Sequence, residues 1–213
     1  MISCRRREDC RLCGSRSLDC VVTLVPTPPA NAFLSFVEKE KSQDVFPLEL
    51  NLCAECGHTQ LGHVIDPSLL FSNYVYVSGT SASFVSHFTS YADAVWALSG
   101  AVLGNLVVDI GSNDGTLLRA FRDLGAEIQG VDPARRIAAL AKKSGIPTVA
   151  EFFTTETARK IVAERGKAKI VTANNVFAHI DDLNGAVSNV REMIETDGIF
   201  TFEVSYLLDV LER

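Results

Sequence analysis

Two groups of residues in this sequence have types and spacings that could do chemistry. Cys10-Arg-Leu-Cys13-Gly14 and Cys53-Ala-Glu-Cys56-Gly57 are both C-x-x-C-G units. Each sets two sulfurs on one tight turn, with glycine relieving the backbone beyond it, and two such knuckles supply the tetrathiolate of a structural zinc site. Cys10, Cys13, Cys53 and Cys56 are therefore the candidate metal ligands. Four buried thiols or two disulfides are the alternatives, and both the repeated motif and a reducing compartment weigh against them. A closed four-sulfur shell leaves no position for water, so its expected role is to hold together a module too small for a good core. Cys4 and Cys20 fall outside the knuckles as ordinary thiols. His58 and His63 are left out of the ligand set.

The second group is Asp109-Ile110-Gly111-Ser112-Asn113-Asp114-Gly115, an acid-x-Gly-x-x-x-Gly turn between an apolar run and helix-forming residues. The dinucleotide fingerprint G-x-G-x-x-G is absent, because Asn113 stands where its second glycine would approach a pyrophosphate. Asp109 and Asp114 flank the turn. Carboxylates repel a pyrophosphate, whereas S-adenosylmethionine has no phosphate and brings a cationic amine and a sulfonium. The charge pattern thus favours S-adenosylmethionine as cofactor. Asp132, 21 residues after Gly111, is placed to accept the ribose hydroxyls, a role it would serve for either cofactor. In Glu151-Phe152-Phe153, Phe152 could stack on an adenine; core packing is the alternative for both phenylalanines.

These residues need elements to position them. From about residue 106 the sequence alternates between strand and helix: "NLVVDIG", "AEIQGVD", "PTVAEFF", "AKIVTANNV" and "GIFTFEVSY" read as strands, with helices near 116–124, 134–143, 155–164 and 183–194 between them. That pattern predicts an α/β fold with a parallel sheet covered on both faces, whose ligands sit at the carboxyl ends of the strands. Asp109, Asp132, Glu151, Asn174, Asn175 and Glu203 all fall near such ends. All six cysteines lie in the first 56 residues, which marks off a zinc-binding module at 1–72. The 39 residues between the knuckles imply an inserted loop or hairpin through "TLVPTPPANAFL" and "VFPLELNLC". Between the modules, 73–100 reads as a connector: Tyr74 to Val77 alternate as a strand would, Ser78-Gly-Thr-Ser81 is a hydroxyl-rich turn, and a helix follows over about 84–98. The third domain is 101–213.

Composition narrows the partners. With 47% hydrophobic residues the chain can build a core, and a net charge of −6 without a Lys/Arg stripe argues against nucleic acid or a membrane surface. The basic run at 5–7 is cancelled by Glu8 and Asp9. The polar start "MISCRRREDCRLC" lacks the apolar stretch of a secretory signal, so a cytoplasmic location is expected. The uncharged segment 94–108 is too short to span a bilayer.

Taken together, the C-x-x-C-G pair, "YVYVSGTS", "VVDIGSNDGTLL", "GVDPA", "EFF", "NNVFAHIDDLN" and "FEVSYLLD" resemble, in order, the S-adenosylmethionine-dependent C-methyltransferases of nucleotide-sugar (deoxysugar) biosynthesis. The resemblance implies a Rossmann-like class I methyltransferase sheet behind a zinc module that helps cover a nucleotide-sugar. It implies that Tyr74, Tyr76 and the turn from Ser78 close over the cofactor, and that Asn174, Asn175 and His179 line the space where methyl donor and sugar meet. On sequence alone a histidine opening a helix is more often a cap or core residue; the resemblance makes His179 a candidate catalytic residue. The implied chemistry is removal of a proton beside a keto group, followed by attack of the carbon on the sulfonium methyl.

The chain departs from that family after strand five. A class I sheet has seven strands, and the family's Tyr/Glu/His cluster that serves proton abstraction has no match here; Glu203 and Tyr206 are not promoted to that role. The expectation is a truncated chain whose isolated methyl transfer is slow or absent, with a sheet edge open to self-association. The rival readings are a non-catalytic module that binds zinc and S-adenosylmethionine, and an NAD-dependent oxidoreductase.

Overall fold

A computed structural model describes residues 3–72 and 74–212. Asn73, where the expected connector begins, and Arg213, the last residue of the expected third domain, lie outside the described residues. The chain divides into two compact units, Met1–Tyr76 with Asp181–Asn184, and Val77–Ile180 with Gly185–Arg213.

The first unit is built from short antiparallel pieces. Strand β1 (Cys4–Arg6) is followed by β2 (Leu18–Thr27), β3 (Phe46–Cys53), β4 (Thr59–Leu61), β5 (His63–Ile65) and helix α1 (Pro67–Phe71). β2, β3 and β4 form one antiparallel sheet, and β1 pairs with β5 in another. The long interval between the cysteine pairs is thus a hairpin, as its two apolar runs suggested, with the segment 28–45 as its loop. Few side chains in this unit are buried apart from Cys10, Phe46, Asn51, Cys53 and Gln60. A core this small leaves the four cysteines as the natural fastening. Within the same unit, the Asp181 carboxylate accepts hydrogen bonds from Arg5, Arg7 and Arg11.

In the second unit, helix α2 (Ala82–Ser99) precedes β6 (Leu106–Ile110), α3 (Thr116–Asp123), β7 (Glu127–Val131), α4 (Arg135–Lys143), β8 (Thr148–Val149), α5 (Thr155–Arg165), β9 (Ala168–Asn174), α6 (Leu183–Met193), β10 (Ile194–Glu203) and α7 (Leu207–Glu212). The five strands make one parallel sheet in the order β10-β9-β6-β7-β8. This is the parallel α/β sheet expected from the alternation of apolar runs and helices. β6 is central and buried along its whole length, and the order reverses beside it, where open α/β sheets take their ligands. Phe88, Ala92 and Val95 of α2 pack with Leu117, Leu118 and Phe121 of α3 against Val107, Ile128 and Ile170 of the sheet. The turns at the strand ends are therefore carried on a rigid layer.

Three readings of the sequence are corrected. Tyr74 to Val77 form no strand: the chain there is irregular and enters a 3-10 turn at Ser78–Thr80, because the Thr80 hydroxyl and the Ser81 N–H bond back to Val77 and Ser78 instead of to a neighbouring strand. β8 is only two residues long and pairs with β7 alone, so Glu151, Phe152 and Phe153 lie in the loop before α5. β10 stops at Glu203, and Ser205-Tyr206 lead into α7. Among the described residues, no helix is long and apolar enough to cross a membrane.

Candidate functional site

The first unit brings its four cysteines together. Their sulfurs all lie within 4.8 Å of one another, with Cys10 to Cys56 and Cys13 to Cys53 each at 3.6 Å. A tetrahedral zinc with Zn–S near 2.3 Å requires sulfurs about 3.8 Å apart, whereas a disulfide would bring two of them to about 2.05 Å. The donor set and spacing fit zinc. Each knuckle closes through its glycine: Gly14 N–H donates to Cys10 C=O and Gly57 N–H to Cys53 C=O, with φ of 75° and 74°. In that left-handed region a side chain is disfavoured. Among the described residues, this is the group of three or more His, Cys, Asp or Glu whose ligand atoms converge.

At the carboxyl end of β6 the chain turns through Gly111, Ser112, Asn113, Asp114 and Gly115 into α3. Asn113 is the centre of this turn. It adopts φ of 51°, a conformation asparagine tolerates better than most residues. Its Oδ1 accepts from the N–H groups of Ser78 and Asp114 at 3.0 Å each, and its own N–H donates to Asp132 Oδ2 at 2.9 Å. Every N–H from 111 to 116 has an internal acceptor: Val131 C=O for Gly111 and Ser112, Asp132 for Asn113, Asn113 for Asp114, Ser112 C=O for Gly115 and Asp114 for Thr116. Phosphate sites at strand-to-helix turns work through free N–H groups. This turn offers none.

The acids differ in their commitments. Asp109 is 4% exposed inside β6 and accepts the Thr172 hydroxyl at 2.6 Å. Burial raises its pKa to about 7, with Thr172 acting to lower it and Asp132 to raise it. Asp114 accepts from the Thr116 hydroxyl and faces Arg119. Both carboxylates thus have internal partners; the third acid of the site is Asp132, just beyond β7. Its two oxygens accept from the N–H groups of Asn113 and Ala134, which leaves each with a lone pair for a ribose hydroxyl. Burial raises its pKa, and the two backbone donors act to lower it.

The other candidate residues fall into three places. Ser78 is buried on the turn, donating to Asn113, and a Cβ on Gly79 would strike the Asp114 carboxylate. Asn174 ends β9, and its amide oxygen and nitrogen are both sealed from solvent without a partner at full hydrogen-bond geometry, although it lies close enough to the Tyr91 hydroxyl to lower that phenol's pKa. Asn175, at φ of 57°, donates its N–H to Glu203 C=O, and Val176 then packs directly on Gly111, where a Cβ would clash with it. His179 ends the 3-10 turn Phe177–His179, which Phe177 anchors against Phe200 and Phe202. Phe152 is half-buried after β8. Tyr74 and Tyr76 belong to the first unit, edge to face at 6.5 Å. One pair escaped the sequence reading: His87 of α2 and Glu203 of β10, whose Nε2 and Oε2 are 2.8 Å apart. They are 116 positions apart, and no motif links them.

Residues 86–212 match a family model described as a methyltransferase domain. The chain belongs to the methyltransferase domain family. Residues 10–71 match a second model, for a zinc binding domain, which spans both cysteine pairs. The C-methyltransferase NovU of Streptomyces niveus is 35% identical over 206 residues, 97% of this chain and 49% of that protein. A ubiquinone biosynthesis O-methyltransferase of Bordetella avium is 25% identical over 103 residues, 47% of this chain and 43% of that one. The chain therefore spans about half the length of the curated relatives it matches. In fold it is similar to the PH0226 protein of Pyrococcus horikoshii, with a TM-score of 0.52 at 19% identity, over 65% of this chain and 62% of that one.

Proposed function

We propose that this chain is the zinc-stabilised, cofactor-binding part of an S-adenosylmethionine-dependent C-methyltransferase that acts on a keto-sugar nucleotide. The observation that carries the cofactor reading is the closed turn: with all six N–H groups from 111 to 116 engaged internally, it suits an adenosine ligand without phosphates. The family match and the similarity to a C-methyltransferase support methyl transfer to carbon. The sugar-nucleotide class rests on the ordered motifs of the sequence.

The residues divide the work by position. Asp132 would hold the ribose, the turn Asp109, Gly111, Asn113, Asp114 and Gly115 would face the ligand with carbonyls and side chains, and Phe152 would meet the adenine. Tyr74, Tyr76 and Ser78 would cover the cofactor. Asn174, Asn175 and His179, at the end of β9 and beyond it, would face the reacting methyl and the acceptor. When bound, S-adenosylmethionine supplies an electrophilic methyl on a positively charged sulfur. The chain's own part is to orient that ligand on the sheet end, and at His179 to present an imidazole that can hold or pass a proton. The zinc site keeps its four sulfurs for structure.

Incubation with labelled S-adenosylmethionine and a keto-sugar nucleotide tests this reading. The chain is expected to bind S-adenosylmethionine, and any label it transfers, slowly because the proton-abstracting cluster has no match here, falls at a non-exchangeable carbon of the sugar. Label on oxygen, or transfer that persists in the Asp132→Ala variant, would contradict it.

A further inference from the structure

Beside the cofactor turn, the carboxyl ends of β9 and β10 carry a polar group that the proposed function does not use. Glu203 ends β10 in register with Asn174, and its C=O accepts from Asn175 N–H. That backbone leads directly to Val176, which packs on Gly111. Above it stands one face of α2. His87 places Nε2 2.8 Å from Glu203 Oε2, and one helical turn on, the Tyr91 hydroxyl donates to Thr201 at 3.1 Å. The buried amide of Asn174 lies beside the Tyr91 hydroxyl. Phe84, Phe88 and Tyr91 surround the His87 ring, with centroids 6.3, 5.8 and 6.2 Å away.

A stability role does not explain this arrangement. The His87 and Glu203 side chains are 46% and 37% exposed, and pairs so open to water contribute little to folding. Their position is informative instead. With the adenosine over β6 and β7, where Asp132 lies, the acceptor would occupy the other side of the switch point, over β9 and β10.

We propose that His87 and Glu203 form the acceptor-side positioning pair of this site, recognising a hydroxyl of a small polyhydroxylated acceptor. Glu203 Oε2 takes the Nε2–H of His87. The tautomer that carries its hydrogen on Nε2 leaves Nδ1 as an acceptor, and in that form Nδ1 receives the acceptor's hydroxyl hydrogen. Glu203 thus acts through His87. The inference rests on the proposed methyltransferase function, which supplies the placement of the cofactor.

The test uses the full chain, saturated with S-adenosylhomocysteine and titrated calorimetrically with a keto-sugar nucleotide, with the histidine ring nitrogens followed by ¹⁵N NMR. In the wild type, binding of the sugar moves the His87 Nδ1 signal. His87→Leu weakens sugar binding about tenfold, the loss of one hydrogen bond, and His87→Asn, which keeps an acceptor near the place of Nδ1, recovers part of it. Glu203→Leu lowers sugar affinity and abolishes the preference for the Nε2–H tautomer. In all three variants S-adenosylhomocysteine affinity and melting temperature stay at the wild-type values. Unchanged sugar affinity in His87→Leu, an Nδ1 signal that binding leaves in place, or no sugar binding at all while S-adenosylhomocysteine still binds would overturn the pair's role and leave the cofactor reading standing. Failure of the wild type to bind S-adenosylhomocysteine would overturn both.

Discussion

Asn113 shows how one side chain can decide what a turn binds. In the sequence it is legible only as the residue that breaks a dinucleotide fingerprint. In the fold it joins three segments, through Ser78, Asp114 and Asp132. Asn113→Ala removes two accepted bonds and leaves a less tolerant residue at positive φ, a destabilisation of about 2–3 kcal/mol, measurable by urea unfolding and accompanied by weaker cofactor binding. Asn113→Gly relieves the backbone but still lacks the Oδ1, so it recovers stability more than affinity.

Asp109 yields a pH prediction. Its folded-state pKa of about 7 lies above the unfolded value of about 3.9, so the folded state binds the proton more tightly. That contribution is fully present below about pH 4 and is lost as pH rises through 7. The stability difference between pH 5 and pH 8 should shrink by on the order of 2 kcal/mol in Asp109→Asn relative to wild type at constant zinc. An equal pH dependence in the two proteins would contradict a buried, protonatable Asp109. The sequence marked this residue as an acid beside a turn; its burial and its bond to Thr172, 63 positions away, depend on strand order.

At the scale of elements, local patterning was informative wherever one signal acted alone. The C-x-x-C-G knuckles, the apolar run of β6 and the helices α3 to α6 stand within a residue or so of their expected places. The segment from Tyr74 to Val77 shows the opposite case: alternation resembles a strand, but hydroxyls that bond to the local backbone compete with a ladder, and here they prevail. The short β8 is similar, since an edge position gives it one partner only. Where an element depends on zinc, its stability should follow the metal. Metal analysis is expected to find one zinc per chain. Chelation, or Cys53→Ser, should unfold β2 to β4 as seen by hydrogen exchange, while the parallel sheet keeps its protection. Uniform loss of protection across both units would be contrary to this.

For the whole molecule, the two units divide stabilisation between metal and core. The second has a buried sheet with helices on it, whereas the first has few buried side chains to set against its length. That the strands run parallel was accessible from the alternation of strand and helix, because crossovers of that length join parallel strands. The meeting of β9, β10 and α2 around His87 and Glu203 was not, because it depends on packing. β10 is an edge strand whose Phe202 is 51% exposed, followed by exposed Val204 and Tyr206. Sedimentation velocity should therefore detect self-association that rises with concentration and falls in Phe202→Lys; a monomer at all concentrations would rule the edge out as an interface.

The choice between a phosphate-free and a dinucleotide ligand is the claim on which the other functional readings depend. Isothermal titration of the zinc-loaded chain with S-adenosylhomocysteine and with NAD tests it directly. The expected result is one site for S-adenosylhomocysteine, lost in Asp132→Ala, and no heat from NAD. Saturable NAD binding that S-adenosylhomocysteine fails to displace would contradict it.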